Sequence, residues 1–548
     1  MTTRHRSLAR ALQAASLGVC LAFYVVIADA GTGALTTTRS TSYYNLLTDA
    51  FLHGQTSLLV KPRAELLALR DPYDPRANSA YRMHDALLYK GNYYLYWGLS
   101  PVFLAYLPVR VLTGRYLTDA TACIIFALLG LLTYASLLIA IRRDYLPTSS
   151  RWTTIPLIFF LAFGTMMPFV LRRHLVYEVA ITCAYFLSAV FLLAIYRGAY
   201  RGALHRGWIF ASGVALGLVF LSRPNVTICI VTAVVACFLY ARRGRRGGIP
   251  PWQLLGLAFG PLVLCVAAQG LYNWLRFGSP TEYGLRYQLT MIYMPGYQFF
   301  SGPRGLSSAL YIFFNLPIFS THVPFVTATS DGLIGPLRQA AAALQPYAPD
   351  FHVEPFIGIL VAVPLLWTIL MAPFVHSREP QARLSWFFKS ILVAAAIQIA
   401  FICIALAPIT RYEIDFMPML LLAVAILILR IDQEQKTKRS SVYLRTGLSV
   451  LVLYTVCISA TMSLTDFVDE GPHVSKINEP ITERRGYQAM SSSLLTSTAT
   501  KVRTSGSENV HSCERLLVGG NVRIYVRNVS TRDTLEGAKS EAHRVAFR

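Results

Sequence analysis

Apolar runs long enough, or nearly long enough, to cross a lipid bilayer recur along the chain and constrain its fold more than any other feature. A helix needs about 20 predominantly apolar residues to cross the hydrocarbon core. Backbone hydrogen bonds inside a bilayer must be satisfied within the protein, so runs of this length fold as helices. The runs are 11–30, 117–140, 152–171, 177–196, 207–222, 225–241, 252–272, 356–375, 387–408, 413–430 and 446–463. We therefore predict an all-α polytopic membrane protein with about 11 transmembrane helices.

The composition and the placement of charge agree with that prediction. Of the 548 residues, 54% are hydrophobic and 14% are charged, whereas soluble domains carry about 25% charged residues. The formal net charge of +22 could indicate a nucleic-acid partner or the basic cytoplasmic loops of a membrane protein. Alternate loops hold dense basic groups, such as the one between Arg242 and Arg246, and the turns on the other side hold far fewer. The charge is therefore mostly topological, and nucleic-acid binding is not expected.

The same bias orients the chain. Because cytoplasmic loops collect Lys and Arg, we predict a cytoplasmic N-terminus and an extracytoplasmic C-terminus in the cytoplasmic (inner) membrane. Two short runs broken by proline, 99–113 and 309–326, are interpreted as interfacial or re-entrant, since a full span there would place the basic loops outside. The first run, 11–30, could instead be a cleaved signal peptide, but the many spans that follow favour a retained helix.

This topology places three large pieces on the outer face. A membrane domain, 1–463, carries outer loops at about 31–116 and 273–355, and a polar tail follows over 464–548. The tail contains "RLLVGGNVRIYVRN" (515–528), whose pattern is typical of a β-hairpin. The cytoplasmic loops are short and the GxxxxGK[ST] motif does not occur, so we do not expect an ATP-driven pump. Any chemistry is expected on the outer face.

The first outer loop contains the densest polar and aromatic stretch, "HDALLYKGNYYLYW" (84–97). A partly desolvated carboxylate can take a proton from a hydroxyl nucleophile, which makes Asp85 the first candidate base. Asp49 is the second, on a predicted surface helix over Tyr43–Gly54. In the plainer interpretation, Asp49 faces solvent and the aromatic residues form an interfacial belt. Candidate substrate-binding residues here are His84, Lys90, Tyr93, Tyr94 and Trp97.

Arginines mark the short outer turns between spans. They are Arg172, Arg173, Arg223 and Arg411. Guanidinium groups suit phosphate and diphosphate, so these four are candidate anion-binding residues. The alternative is that Arg411–Asp415 and Arg173–Glu178 are local ion pairs and that Arg223 extends to the interface. No His or Cys cluster has metal-ligand spacing; no cofactor is predicted, and a divalent cation stays open.

Several stretches together resemble the bacterial GT-C superfamily of polytopic membrane glycosyltransferases, which includes mannosyltransferase-like and aminoarabinose-transferase-like enzymes. They are the surface helix ending at Gly54, "YKGNYYLYWGLSPVFLAYLPVRVLTG" (89–114), "GVALGLVFLSRPN" (213–225) and "YNWLRFGSP" (272–280). The resemblance covers about 10–465. It implies inverting transfer of a sugar from a polyprenyl-phosphate donor to an envelope glycan, lipid or protein. Asp85 or Asp49 would then act as base, the arginines would hold the phosphate, and the aromatic residues would line the substrate path.

The chain departs from the superfamily pattern at one place. Such enzymes usually carry an acid just after the first span, and Arg39–Ser42 occupy that place here. This departure leaves open a non-enzymatic transporter or flippase for a lipid-linked glycan. The large outer loops favour the enzyme, and the lack of Asp or Glu deep inside the spans disfavours a proton-driven transporter. An envelope scaffold is supported only by the polarity of the tail.

Overall fold

The computed structural model describes most of the chain, and the helices and strands below lie within that part. The described residues are 3–29, 42–96, 98–173, 175–201, 203–244, 250–321, 325–344, 353–374, 382–406, 408–435, 437–464, 511–518 and 521–528. The α-helices are α1 Thr3–Asp29, α2 Tyr43–Leu52, α3 Ala64–Leu67, α4 Pro75–Asn78, α5 Leu107–Thr113, α6 Asp119–Tyr145, α7 Arg151–Phe163, α8 Met167–Arg173, α9 Val176–Ile195, α10 Arg206–Ser222, α11 Pro224–Gly244, α12 Pro251–Phe277, α13 Gly302–Phe314, α14 Gly335–Leu344, α15 Ile359–Ala362, α16 Ala382–Ala405, α17 Thr410–Glu413, α18 Met417–Glu434 and α19 Lys438–Leu464. The strands are β1 Leu87–Tyr89, β2 Asn92–Tyr94, β3 Ile318–Phe319, β4 Val326–Thr327, β5 His511–Val518 and β6 Asn521–Asn528.

The protein is an all-α polytopic membrane protein, as predicted. Within the described residues, seven helical stretches are long and apolar enough to cross a membrane, and each matches a predicted run. They are Ser7–Asp29, Asp119–Tyr145, Arg151–Arg173, Val176–Tyr200, Trp252–Phe277, Ala382–Ala405 and Arg439–Leu464. The predicted runs 207–222, 225–241 and 413–430 are helical as α10, α11 and α18.

The predicted span over 356–375 is wrong as a single transmembrane α-helix. The chain forms the one-turn helix α15 and then a 3₁₀ helix over Pro364–Phe374. Proline has no backbone N–H and clashes with the preceding turn, so Pro364 ends the α-helical geometry although every neighbour is apolar. Hydrophobicity alone did not reveal this break.

Close packing of helices builds the framework beneath the outer loops. α6 packs on α9, α9 on α10 and α10 on α12. Small residues allow close approach: a Cβ at Gly213 would lie 2.6 Å from the backbone oxygens of Leu257 and Ala258. Every residue over 417–430 in α18 is buried, as expected for a helix that is hydrophobic all round.

The two short, proline-broken runs do not form spans. The first forms a π-helical turn over Val102–Tyr106 and continues as α5, which ends at the left-handed Gly114. Together Val102–Thr113 are too short to cross a membrane. The second run is divided between the end of α13 and the small antiparallel pair β3–β4. Both results agree with the interpretation drawn from the charge pattern.

A short hairpin organises the polar-aromatic stretch. Strands β1 and β2 pair antiparallel, and Lys90 and Gly91 turn between them with φ of 47° and 73°. Two consecutive positive φ angles are typical of a type I′ turn, which suits the twist of a two-residue hairpin. Beside the hairpin, Asp85 N donates to Leu289 O at 2.8 Å and Leu289 N donates to Ala86 O at 3.0 Å. These bonds join the first and the later outer loop.

The chain divides into two compact units, Met1–Arg484 and Arg485–Arg548. In the second unit β5 and β6 pair antiparallel, from His511 opposite Asn528 to Val518 opposite Asn521. This confirms the hairpin predicted in the tail. The proposed domain boundary at 463/464 stays a prediction.

Gly98→Ala is expected to lower thermal stability, because the loop carrying Asp85 packs through Gly98 onto the end of α10. A Cβ at Gly98 would clash with the carbonyl oxygens of Leu221 and Ser222 and lie 2.7 Å from Ser222 Cα. Overpacking of this kind costs about 1–3 kcal/mol. The matched control is Gly256→Ala, where no neighbouring atom lies within 4 Å. Thermal unfolding in detergent checks the difference, and equal midpoints for both variants would contradict this packing.

Candidate active site

Asp85 lies where the two outer loops meet the membrane framework. Its side chain is buried, and its φ of 60° is a left-handed conformation that non-glycine residues rarely adopt. The Tyr177 hydroxyl donates a hydrogen bond to Asp85 Oδ2, and His84 Nε2 lies 3.6 Å from the same oxygen. Oδ1 is buried and accepts no hydrogen bond from any described residue. Oδ1 of Asp85 is therefore available to accept a proton, while the Tyr177 hydroxyl holds Oδ2.

Asp49 occupies a different environment. Arg110 Nε donates to its Oδ1 at 3.2 Å, and the Tyr116 hydroxyl donates to its Oδ2 at 2.7 Å. The two hydrogen bonds thus tie α2 to α5 and to the loop that follows α5. Asp85, which keeps an unpaired oxygen, is therefore the candidate better placed to accept a proton.

Arg173 and Arg411 line one small cleft on the same side of the spans. Glu178 and Glu354 also line the cleft. Glu354 Oε2 lies 3.8 Å from Arg173 Nη1, and Glu354 Oε1 lies 3.4 Å from Arg411 Nη2. Glu178 Oε1 lies 3.8 Å from Arg173 Nε. The two arginines therefore share a carboxylate supplied by the later outer loop.

Arg411 keeps unused donors in this cleft. The residue is 9% exposed, and its Nε and Nη1 have no hydrogen-bond partner among the described residues. A buried guanidinium with unpaired N–H groups is costly unless another acceptor satisfies it. Arg411 is thus the arginine with the clearest remaining capacity for an anion.

Arg223 pairs with Asp415, which corrects one of the local pairings considered from the sequence. Arg223 Nη2 and Nε lie 2.6 Å and 3.2 Å from Asp415 Oδ2. Asn225 Nδ2 donates to that oxygen at 3.2 Å, and Gln398 Nε2 lies 3.5 Å away. Arg411 pairs with Glu354 instead of Asp415, and the Arg223 side chain, 11% exposed, is held by Asp415 instead of extending to the interface. The alternative pair Arg173–Glu178 does occur.

Tyrosine side chains lie between Asp85 and the two arginines Arg223 and Arg411. The guanidinium carbon of Arg411 lies 5.0 Å from the Tyr177 ring centroid and 5.4 Å from that of Tyr412, and Arg223 also lies 5.4 Å from Tyr412. Burial raises the pKa of Tyr96 to about 12, with smaller effects from nearby Tyr412, Arg223 and Asp85. Asp85, Arg223 and Arg411 therefore belong to one neighbourhood.

The other predicted binding residues lie in several places. Lys90 is exposed at the hairpin turn with its Nζ 5.3 Å from the Tyr89 ring centroid. Tyr93 is buried, and Tyr94 packs 5.6 Å from the Phe277 ring. Arg172 is half-buried at the end of α8. Trp97 and the segment Arg39–Thr41 lie outside the described residues.

His84 completes the surroundings of the acid. Its Nδ1 is buried with no hydrogen-bond partner in the part of the chain that the structure describes. The Tyr43 hydroxyl donates to the His84 carbonyl oxygen, and burial raises the pKa of Tyr43 above its ordinary value, with contributions from Asp85 and Tyr93. His84 is thus adjacent to Asp85 but is not engaged as a strong hydrogen-bond partner.

Sequence reasoning did not single out Tyr177, Glu354 or Tyr412. Tyr177 and Tyr412 each stand beside an acidic residue in an arginine-bearing turn, which is a weak signal. Glu354 was hidden in a long loop with no motif around it. Arg276 Nη1 donates to Leu95 O at 2.8 Å and fixes the end of the hairpin to α12.

Within the described residues, no group of three or more His, Cys, Asp or Glu side chains could hold a metal ion. Asp85, the arginines and the tyrosines form the candidate site. Their arrangement can accept a proton at Asp85 and hold an anion at Arg173 and Arg411.

Comparisons with known proteins give a distant likeness. No protein-family model and no curated protein sequence matches the chain. The solved structure of ArnT from Cupriavidus metallidurans bound to undecaprenyl phosphate matches 90% of this chain and 81% of its own, at 14% identity and a TM-score of 0.41. The oligosaccharyltransferase of Archaeoglobus fulgidus in the apo form matches 84% of this chain and 57% of its own, at 14% identity and a TM-score of 0.38.

A likeness at these TM-scores assigns no substrate and no residue role to this chain.

Proposed function

We propose that the protein is an inverting membrane glycosyltransferase that moves a sugar from a polyprenyl-phosphate donor to an envelope glycan, lipid or protein on the extracytoplasmic face. One observation carries the proposal. A buried carboxylate with an unpaired oxygen, Asp85, and a buried guanidinium with unpaired donors, Arg411, both contact Tyr177. Sugar transfer from a lipid phosphate needs a base for the acceptor proton and a cation for the leaving phosphate, and Tyr177 contacts a candidate for each.

The reaction assigns each group a step. An acceptor hydroxyl oxygen attacks the anomeric carbon and forms the new glycosidic bond. Its proton passes to Asp85, which acts as general base. The bond between the anomeric carbon and the phosphate oxygen breaks, and its electron pair stays on the polyprenyl phosphate. The leaving phosphate thereby gains negative charge, which Arg411 and Arg173 stabilise.

A phosphate can bind between Arg173 and Arg411 only if it replaces a carboxylate that now pairs with them. Arg173 and Arg411 are both paired with Glu354, whose side chain is 25% exposed. Glu178 is fully buried and accepts a hydrogen bond from Leu175 N at 3.1 Å, so it is held in place. Glu354 is therefore the carboxylate that a donor phosphate displaces. Arg223 is occupied by Asp415 and supports the site through Tyr412.

Arg411→Gln is expected to weaken binding of a polyprenyl phosphate by about 10- to 100-fold, the range for losing a hydrogen bond to a charged group. The probe is farnesyl phosphate, titrated against the full-length protein in nanodiscs, with farnesol as the uncharged comparison. Arg338→Gln is the matched control, since Arg338 is 63% exposed and pairs with Asp331 instead of lining the cleft. Equal affinities for both variants, or equal binding of farnesol and farnesyl phosphate, would contradict the anion site.

A further inference from the structure

Tyr177 contacts both halves of the proposed site. It lies in the first turn of α9, one residue before the buried Glu178. Its hydroxyl donates to Asp85 Oδ2, and its ring lies 5.0 Å from the guanidinium carbon of Arg411. A hydrogen bond from a hydroxyl fixes the orientation of a carboxylate. An aromatic ring beside a guanidinium stabilises and orients that cation.

We propose that Tyr177 is a positioning residue that couples the base to the phosphate site. Its hydroxyl keeps the Asp85 carboxylate oriented, and its ring keeps Arg411 oriented toward the cleft anion. The roles assigned to Asp85 and Arg411 rest on the proposed function, but the two contacts of Tyr177 can be tested without it. Phenylalanine removes the hydroxyl and keeps the ring, whereas leucine removes both.

Other groups also surround the Asp85 carboxyl. Arg82, Tyr43 and Tyr96 lie close enough to interact with it electrostatically, and His84 Nε2 lies 3.6 Å away. All four remain in a Tyr177→Phe variant. A change in the reactivity of the Asp85 carboxyl in that variant therefore reports the missing hydroxyl.

The first measurement follows Asp85 directly. Dicyclohexylcarbodiimide modifies carboxyl groups in apolar surroundings, and peptide mass spectrometry gives the rate of labelling at Asp85 at a fixed pH. Tyr177→Phe is expected to raise that rate about tenfold, since Oδ2 loses the hydroxyl that holds it. In transfer assays the same variant should lower kcat and leave the donor KM near that of the wild type. Tyr73→Phe is the control, because Tyr73 donates to Leu88 O at 2.7 Å and does not contact Asp85.

The second measurement follows Arg411 through binding of farnesyl phosphate in nanodiscs. Tyr177→Phe is expected to bind as the wild type does, and Tyr177→Leu about three- to tenfold more weakly. If Tyr177→Leu does not elute as a folded protein, Tyr177→Met replaces it.

The outcomes separate the inference from the proposed function. Unchanged labelling in Tyr177→Phe would overturn the hydroxyl role, and equal binding by the Phe and Leu variants would overturn the ring role. If the Tyr177 variants show both differences but the wild-type protein transfers no sugar, the coupling is supported and the proposed glycosyltransferase activity is contradicted.

Discussion

Asp85→Asn is expected to lower the rate of sugar transfer by about 10²- to 10⁴-fold, the contribution typical of a positioned general base. Asparagine has nearly the same size, and its amide oxygen can still accept from Tyr177, but it cannot take the proton from the acceptor. The backbone bond from Asp85 N to Leu289 O is unaffected by the substitution. Initial rates in proteoliposomes at saturating donor concentration measure the effect.

Asp49→Asn is the matched control for that prediction. The substitution weakens the contacts of Asp49 with Arg110 and Tyr116, so it should lower thermal stability. The transfer rate per folded molecule should stay near that of the wild type. The opposite result, a normal rate for Asp85→Asn and a large loss for Asp49→Asn, would assign the base to Asp49.

Asp415→Asn is expected to destabilise the protein by about 3–5 kcal/mol, because it leaves Arg223 charged and buried without its counter-charge. The Asp415 side chain is 1% exposed and the Arg223 side chain 11% exposed, and their closest atoms lie 2.6 Å apart. The pair also joins the turn after α10 to the segment before α18, so its loss should loosen the site. Thermal unfolding in detergent, with wild type as the reference, measures the loss.

The control for the buried pair is an exposed one. Asp331 and Arg338 form an ion pair at 2.7 Å, but their side chains are 55% and 63% exposed. Solvent screens such pairs, so Asp331→Asn should change stability by less than about 1 kcal/mol. A double variant, Arg223→Met with Asp415→Leu, should recover much of the loss because no buried charge remains. Equal unfolding midpoints for Asp415→Asn and Asp331→Asn would contradict the account.

The membrane architecture was predictable because it depends on local properties of the sequence. The length of apolar runs identified the seven stretches among the described residues that can span a membrane, and the distribution of arginines indicated that 99–113 is not a span. The 356–375 segment was missed because Pro364 acts through backbone geometry, which hydrophobicity does not report. The type I′ hairpin at Lys90–Gly91 is a local feature whose place beside Asp85 depends on the later loop.

The candidate site was only partly predictable because its contacts are distant in sequence. Tyr177 and Asp85 are separated by 92 positions, and Arg223 and Asp415 by 192. The i,i+4 spacing of Arg411 and Asp415 indicated a local pair, but α17 ends at Glu413 and the two residues do not share a helical face. Side-chain type identified the arginines and Asp85, and only the fold shows which partners they take.

The measurement that tests the central claim most directly is mass spectrometry of polyprenyl-phosphate sugars and envelope acceptors in a strain that lacks the protein. The strain is compared with itself after restoring the wild type or Asp85→Asn. The account predicts that a lipid-linked sugar accumulates, that one envelope acceptor loses a sugar, and that the wild type alone restores it. If no acceptor changes, and only the side of the membrane that holds a lipid-linked intermediate does, the protein is a flippase and the account is wrong.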